Sequence, residues 1–166
     1  MAARLLARLA TRRASGAHPA QWAAWPVVEH PAAPPRRPVP PPPPCPCGSP
    51  APYPEHCGKL HAGGVAARAE DLMRARYSAF VVGDEAYLRR SWHPDTCPPV
   101  IGLDGGTRWE GLEIEASERG SAFHQDGTVT FRARYREGGT PGALHERSRF
   151  TRVGGEWVYV DGDFLD

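Results

Sequence analysis

Three of the four cysteines fall within 13 residues, in the run Cys45-Pro-Cys47-Gly-Ser-Pro-Ala-Pro-Tyr-Pro-Glu-His56-Cys57-Gly58. The spacing is C-x-C-x8-H-C. Zinc takes four soft or borderline donors at the corners of a tetrahedron, about 2.0–2.3 Å from the metal. Cys45 and Cys47 supply two thiolates from one tight turn, and His56 and Cys57 supply the other pair after an eight-residue loop. Gly48 and Gly58 follow each pair, where a chain wrapping around a metal commonly needs positive φ. Pro46, Pro50, Pro52 and Pro54 stiffen the loop and lower the entropy cost of closing it. His61, four residues further on, is a second candidate for the fourth ligand. A disulfide reading leaves an odd cysteine, and nothing else in the chain suggests export. With all four positions filled by protein the zinc is expected to be structural, because no corner remains for water. A redox or metal-storage role needs an exposed labile thiol, which a closed site does not offer. Cys97 has no cysteine neighbour and lies in a Pro-rich loop, as an incidental thiol.

A second group of candidates depends on how the rest of the chain folds. Along 143–150, Leu144, Glu146, Ser148 and Phe150 alternate with His145, Arg147 and Arg149. If Leu144 and Phe150 point inward, Glu146 is an inward carboxylate, and such a charge needs a partner or a wet pocket. Arg76 is the nearest inward basic residue by pattern. An ion pair with Glu146 would tie helix to sheet, or the two would orient a ligand. His93 follows Trp92 at the end of a helix, where loops often rim pockets. It is a candidate base, although a helix C-terminus favours a histidine without any function. Tyr77 and Trp92 complete the pocket candidates, while Trp109, Trp157 and Tyr159 read mainly as core. His145 falls on the outer face. No Gly-rich phosphate loop, HExxH or GxSxG is present.

The elements that must position these residues follow from periodicity. Residues 66–82 predict a helix, with Leu72, Met73, Arg76, Tyr77, Phe80 and Val81 at three- and four-residue steps. Glu70 and Asp71 favour its N-terminus and Gly83 ends it. Asp84 caps a second helix over 84–92, stopped by Pro94. After a loop over 95–108 the period becomes two, which predicts strands at 109–117, 121–136, 143–153 and 156–161. Val129, Phe131, Ala133 and Tyr135 alternate with Thr130, Arg132, Arg134 and Arg136, as in a sheet with one buried and one wet face. Asp126-Gly127, Gly138-Gly139 and Gly154-Gly155 are expected at turns. Helices followed by four antiparallel strands make an α+β fold, with helices on one face of a curved sheet.

The run Cys-Pro-Cys-Gly-Ser, then Tyr53 and His56-Cys57-Gly58, resembles the zinc motif named after the C-terminus of the SecA translocation ATPase. The segments Leu-Met-Arg-Ala-Arg-Tyr-Ser-Ala-Phe (72–80), Trp-His-Pro (92–94) and His-Glu-Arg-Ser-Arg-Phe (145–150) are similar to the bacterial YchJ-type family of uncharacterised proteins. The likeness covers residues 45 to about 162. It implies a nuclear transport factor 2-like (cystatin-like) cone, in which helices close over a sheet and leave a pocket. One departure stands out: the motif usually ends in Cys-Cys or Cys-His, whereas this chain has His56-Cys57. Imidazole can replace thiolate, so the resemblance still implies zinc binding, with one less negative charge. By analogy with SecA, whose motif is associated with contacts to an export chaperone and the ribosome, it also implies a protein partner at the knuckle.

Composition bounds the rest. Of 166 residues, the first 44 carry six arginines against Glu29, a net +5, and 11 of the 19 prolines; the remainder has a net charge of −4. Residues 1–44 are therefore expected to be an Arg/Pro-rich disordered tail or an over-extended start, with a mitochondrial leader as the alternative reading of 1–14. The expected units are that tail, a zinc knuckle over 45–62 and the cone over 63–166. An acidic working unit disfavours nucleic acid, and no apolar run approaches the ~18 residues of a membrane span. Thiol ligands persist best in a reducing compartment, so the cytoplasm is expected. Two functions remain in view. One is a protein-interaction or small-ligand-binding module. The other is a dehydratase- or isomerase-like enzyme using His93 or Glu146, and it is weakened by the lack of a paired acid and base.

Overall fold

The computed structural model describes residues 42–103 and 105–166; the tail expectations for 1–41 lie outside the described residues. A 3-10 turn at Tyr53–Glu55 leads into α1 (Cys57–His61), followed by α2 (Ala69–Val82) and α3 (Glu85–Arg90). Four strands follow: β1 (Thr107–Glu118), β2 (Asp126–Glu137), β3 (Thr140–Val153) and β4 (Glu156–Phe164). They form one antiparallel sheet in the order β1-β2-β3-β4. The α+β reading therefore holds, as does the placing of helices on one sheet face.

Helix α2 starts where Asp71 accepts from the Arg68 backbone N–H, and it stops at Gly83 in a left-handed conformation (φ 75°) that only glycine adopts without strain. Asp84 then caps α3 by accepting from the Tyr87 N–H at 2.9 Å. Helix α3 ends at Arg90, short of the expected Trp92. Beyond it the chain joins the sheet instead: Trp92 forms a parallel bridge with Tyr159, and the His93 N–H donates to the Tyr159 carbonyl at 2.7 Å.

The alternation in β2 is real. Val129, Phe131 and Ala133 are buried, while Thr130 and Arg132 are only half so. With Phe150 and Trp157 they pack against Leu72, Met73 and Tyr77 of α2 and Leu88 of α3. The opposite sheet face carries Arg132, Arg136, Arg147 and Arg149, each within 4.0 Å of a carboxylate on another strand. Register shifts interrupt the pairing of β1 with β2 and of β3 with β4, as β-bulges that bend a sheet do. Two expectations differ. Residues 121–125 are a loop instead of strand, and Asp126-Gly127 opens β2 instead of making a turn.

Candidate metal cluster and ligand cavity

The donor atoms of Cys45, Cys47, His56 and Cys57 all lie within 4.8 Å of one another. The three cysteines are buried and unpaired by disulfides. His56 occupies the joint between the 3-10 turn and α1, and its Nδ1 lies 3.5 Å from Cys47 Sγ and 3.3 Å from Cys57 Sγ. A tetrahedron with bonds of 2.0–2.3 Å has edges of about 3.3–3.8 Å, so these separations fit a metal centre. Gly48 has the expected positive φ (87°), but Gly58 is helical; a side chain there would meet the Tyr53 carbonyl at 2.6 Å. Glycine at 58 is thus required by close approach, not by φ.

His61 is not part of the cluster. Its Nε2 donates to the Ala75 carbonyl at 2.9 Å, which leaves Nδ1 to accept from the Tyr53 hydroxyl at 2.7 Å. Both nitrogens are taken. Burial also holds its pKa below the usual 6.5, against the pull of the Ala75 carbonyl and Asp84. Within the cluster, Cys47 is pulled down to about 5, chiefly because the Cys57 thiol donates to it, while the same bond pushes Cys57 up. Two neighbouring thiols thus share a proton between them, which a bound metal would displace.

The cluster shares its core with the body. Cys45 Sγ lies 3.6 Å from the Ser78 hydroxyl, and Arg74 donates to the Cys47 carbonyl at 3.4 Å, both from α2. Arg90 of α3 donates to the carbonyls of Leu60 and His61 at 2.8 and 2.6 Å. One face of α2 therefore holds the knuckle.

Its other face roofs a cavity of about 350 Å³, walled by aromatic side chains and reached by Arg76, Glu146, Ser148 and Tyr159. Arg76 and Glu146 are 3% and 7% exposed, as the stripe and the strand pattern imply. Their charged ends do not form the direct ion pair considered from the sequence. The Arg76 guanidinium instead lies over both Trp92 and Tyr159, 4.6 and 4.4 Å from the ring centroids, and donates to the Leu88 carbonyl and the Ser91 hydroxyl. Glu146 Oε1 accepts from Ser148 Oγ at 2.5 Å and from the Tyr159 hydroxyl at 3.1 Å. Tyr159 is the link between the charges: its ring stacks on one and its hydroxyl serves the other. Burial lowers Arg76 to about 10, which leaves it charged at neutral pH, and raises Tyr159, helped by the Glu146 charge. Trp92 Nε1 is the one buried side-chain donor or acceptor without a partner among the described residues.

Of the pocket candidates, Arg76, Tyr77, Trp92 and Glu146 line this cavity and His93 does not. The His93 backbone is fixed to Tyr159, and its Nδ1 accepts from the Asp95 N–H at 3.2 Å. Glu146 and His93 therefore face no common space. Sequence reasoning passed over Ser148 and Tyr159 as partners of Glu146, although Ser148 lies two residues away on the same strand face. Phe164 at the cavity edge gave no signal, because the predicted strand ended at 161. His145 is on the outer face as expected, 2.8 Å from Glu115.

Helices backed by a four-stranded antiparallel sheet, with a cluster of three cysteines and one histidine ahead of them, define an NTF2-like domain carrying a SEC-C-type knuckle. A family model described as the YchJ middle NTF2-like domain matches residues 68–162. The chain belongs to the YchJ (UPF0225) family. A UPF0225 protein of Streptomyces coelicolor is 60% identical over 115 residues, covering 69% of this chain and 90% of the relative. One from Streptomyces avermitilis is 56% identical over 120 residues, covering 72% and 83%. The solution structure of a SEC-C motif containing protein from Rhodopseudomonas palustris superposes with a TM-score of 0.64 at 32% identity, over 74% of this chain and 99% of that one. A crystal structure of a SEC-C motif containing protein from Psychrobacter arcticus gives 0.56 at 27% identity, over 74% and 80%. Among the described residues, no helix is long and apolar enough to cross a membrane.

Proposed function

We propose that the protein is a zinc-structured module that binds a small molecule in the cavity beneath α2. The observation that carries this reading is the arrangement on the two faces of one helix. A cluster of soft donors grips α2 from outside, and buried Arg76 with Glu146 reaches a ring-lined cavity inside. Three thiols and an imidazole suit zinc among common metals. Cys45, Cys47, His56 and Cys57 would hold it, and bound zinc supplies a cross-link between the loop and the core with no open coordination position. The reading is of binding, not chemistry, because His93, the candidate base, lies outside the cavity, and the Tyr159 hydroxyl beside Glu146 is held protonated by burial as a donor to that carboxylate. It divides the chain into a knuckle over 45–62 and a cone over 63–166, in a reducing compartment such as the cytoplasm, where thiol ligands survive. The paired arginines of the outer sheet face leave little free positive charge for nucleic acid.

A second reading, a protein contact at the knuckle, is favoured by a shallow groove of about 270 Å³ beside His56 and Lys59, edged by the half-exposed Val65. Native mass spectrometry of the full chain, isolated under reducing conditions, tests both. A zinc-loaded chain with a co-purifying small molecule supports the first. Proteins captured by the wild type but lost by Cys45→Ser/Cys47→Ser, with an empty cavity, support the second. Metal-free protein in reducing buffer contradicts both.

A further inference from the structure

We propose that the cavity takes a neutral, planar small molecule that donates a hydrogen bond to Glu146; this rests on the reading of the cavity as a binding site. Charge balance points to a neutral guest. Arg76 directs one nitrogen to Leu88 and Ser91, both neutral acceptors, so among the described residues the only opposite charge lining its cavity is the Glu146 carboxylate. Together the two make the cavity neutral. A cationic guest would bring a second positive charge beside buried Arg76, and an anionic guest a second negative charge beside buried Glu146. Either leaves net charge in a low-dielectric space, which is costly.

Hydrogen-bond capacity points to a donor. A carboxylate offers about four lone-pair sites on two oxygens. The Ser148 and Tyr159 hydroxyls both serve Oε1, and no protein group donates to Oε2 among the described residues. Glu146 lines the cavity, so a guest with an O–H or N–H can satisfy that oxygen. Shape selects a flat guest, since Tyr77, Phe80, Trp92, Trp109 and Phe131 present rings to the space. At about 350 Å³ the volume lies near the lower end for small-molecule sites. Phe164, the partner of Glu146 across β3 and β4, is 76% exposed and also lines the cavity, so its ring is placed to cover a guest at the mouth.

The test titrates the zinc-loaded full chain with four probes of similar size: phenol, benzoate, benzylammonium and toluene. The readout is the shift of the tryptophan indole N–H signals by NMR. Phenol is expected to bind about tenfold more tightly than the charged probes and severalfold more tightly than toluene. Glu146→Gln keeps an acceptor oxygen but leaves Arg76 unbalanced, so benzoate should become the tightest probe. Phe164→Ala removes an exposed ring and should weaken phenol severalfold without changing the melting temperature. Benzoate or benzylammonium binding best to the wild type overturns the neutral class while leaving the cavity a binding site. Toluene matching phenol overturns the role of Glu146 as acceptor. No indole response to any probe overturns the binding-site reading as well.

Discussion

Gly162 pairs with Ser148 across β3 and β4 and lies under the Glu146 side chain, so the position offers a sharp test of how the buried carboxylate is held. A methyl group at 162 would lie 2.5 Å from Glu146 Cδ and 2.8 Å from Cγ, so the whole side chain would have to move, not its tip alone. Moving it surrenders the bonds from Ser148 and Tyr159. Hydrogen bonds to a charged group contribute about 1.5–3 kcal/mol each, part of which water in the cavity restores, and overpacking costs about 1–3 kcal/mol. Gly162→Ala is therefore expected to destabilise the protein by about 2–4 kcal/mol, or on the order of 10 °C in melting temperature. In a Glu146→Ala background the obstructing atoms are gone. There the same substitution should be neutral or stabilising by about 0.5–1 kcal/mol, since alanine suits a strand better than glycine. Urea unfolding of the four zinc-loaded proteins, followed by tryptophan fluorescence, closes the double-mutant cycle. An equal cost of Gly162→Ala in both backgrounds would mean that the Glu146 side chain is not what the methyl group displaces.

Three further outcomes are expected. A strong chelator should lower the unfolding midpoint of the wild type and leave Cys47→Ala unchanged, because that variant has no metal to lose; calorimetry with and without chelator checks this. His61 has a folded pKa below its usual 6.5, so the stability it confers is present above 6.5 and is lost as the pH falls through the folded value. His61→Gln should therefore lose less stability than the wild type between about pH 7.5 and 5.5 in urea unfolding, with acid release of metal common to both. Asp84→Ala removes the acceptor for the Tyr87 N–H and should cost about 1 kcal/mol in urea unfolding.

What could be read from the residues was what local pattern encodes. The stripe through Leu72, Met73, Arg76 and Tyr77 and the alternation through Val129, Phe131 and Ala133 each name a face, and the structure buries those faces. The C-x-C-x8-H-C spacing brought the right four side chains together for the same reason, since two short pairs and one stiff loop leave few ways to close. Features decided by distant contacts were not legible. Asp126-Gly127 carries a hairpin signal, yet Gly127 pairs with Phe150 in β2, and it is glycine because a side chain there would meet the Gly120 backbone at 2.5 Å. The outward placement of His93 depends on the pairing of Trp92 with Tyr159, far away in the chain. Arg76 was placed inside correctly, but its position over those two rings, instead of pairing with Glu146, required knowing that the rings meet.

In the proposed arrangement a metal grips α2 from one side while the cavity opens on the other. X-ray absorption at the zinc edge of the purified, reduced full chain reads the ligand set itself. The spectrum should report one zinc per chain with three sulfur neighbours at about 2.3 Å and one nitrogen at about 2.0–2.1 Å, the nitrogen lost in His56→Ala. A chain without zinc, or a zinc surrounded by water oxygens instead of three sulfurs, would contradict it.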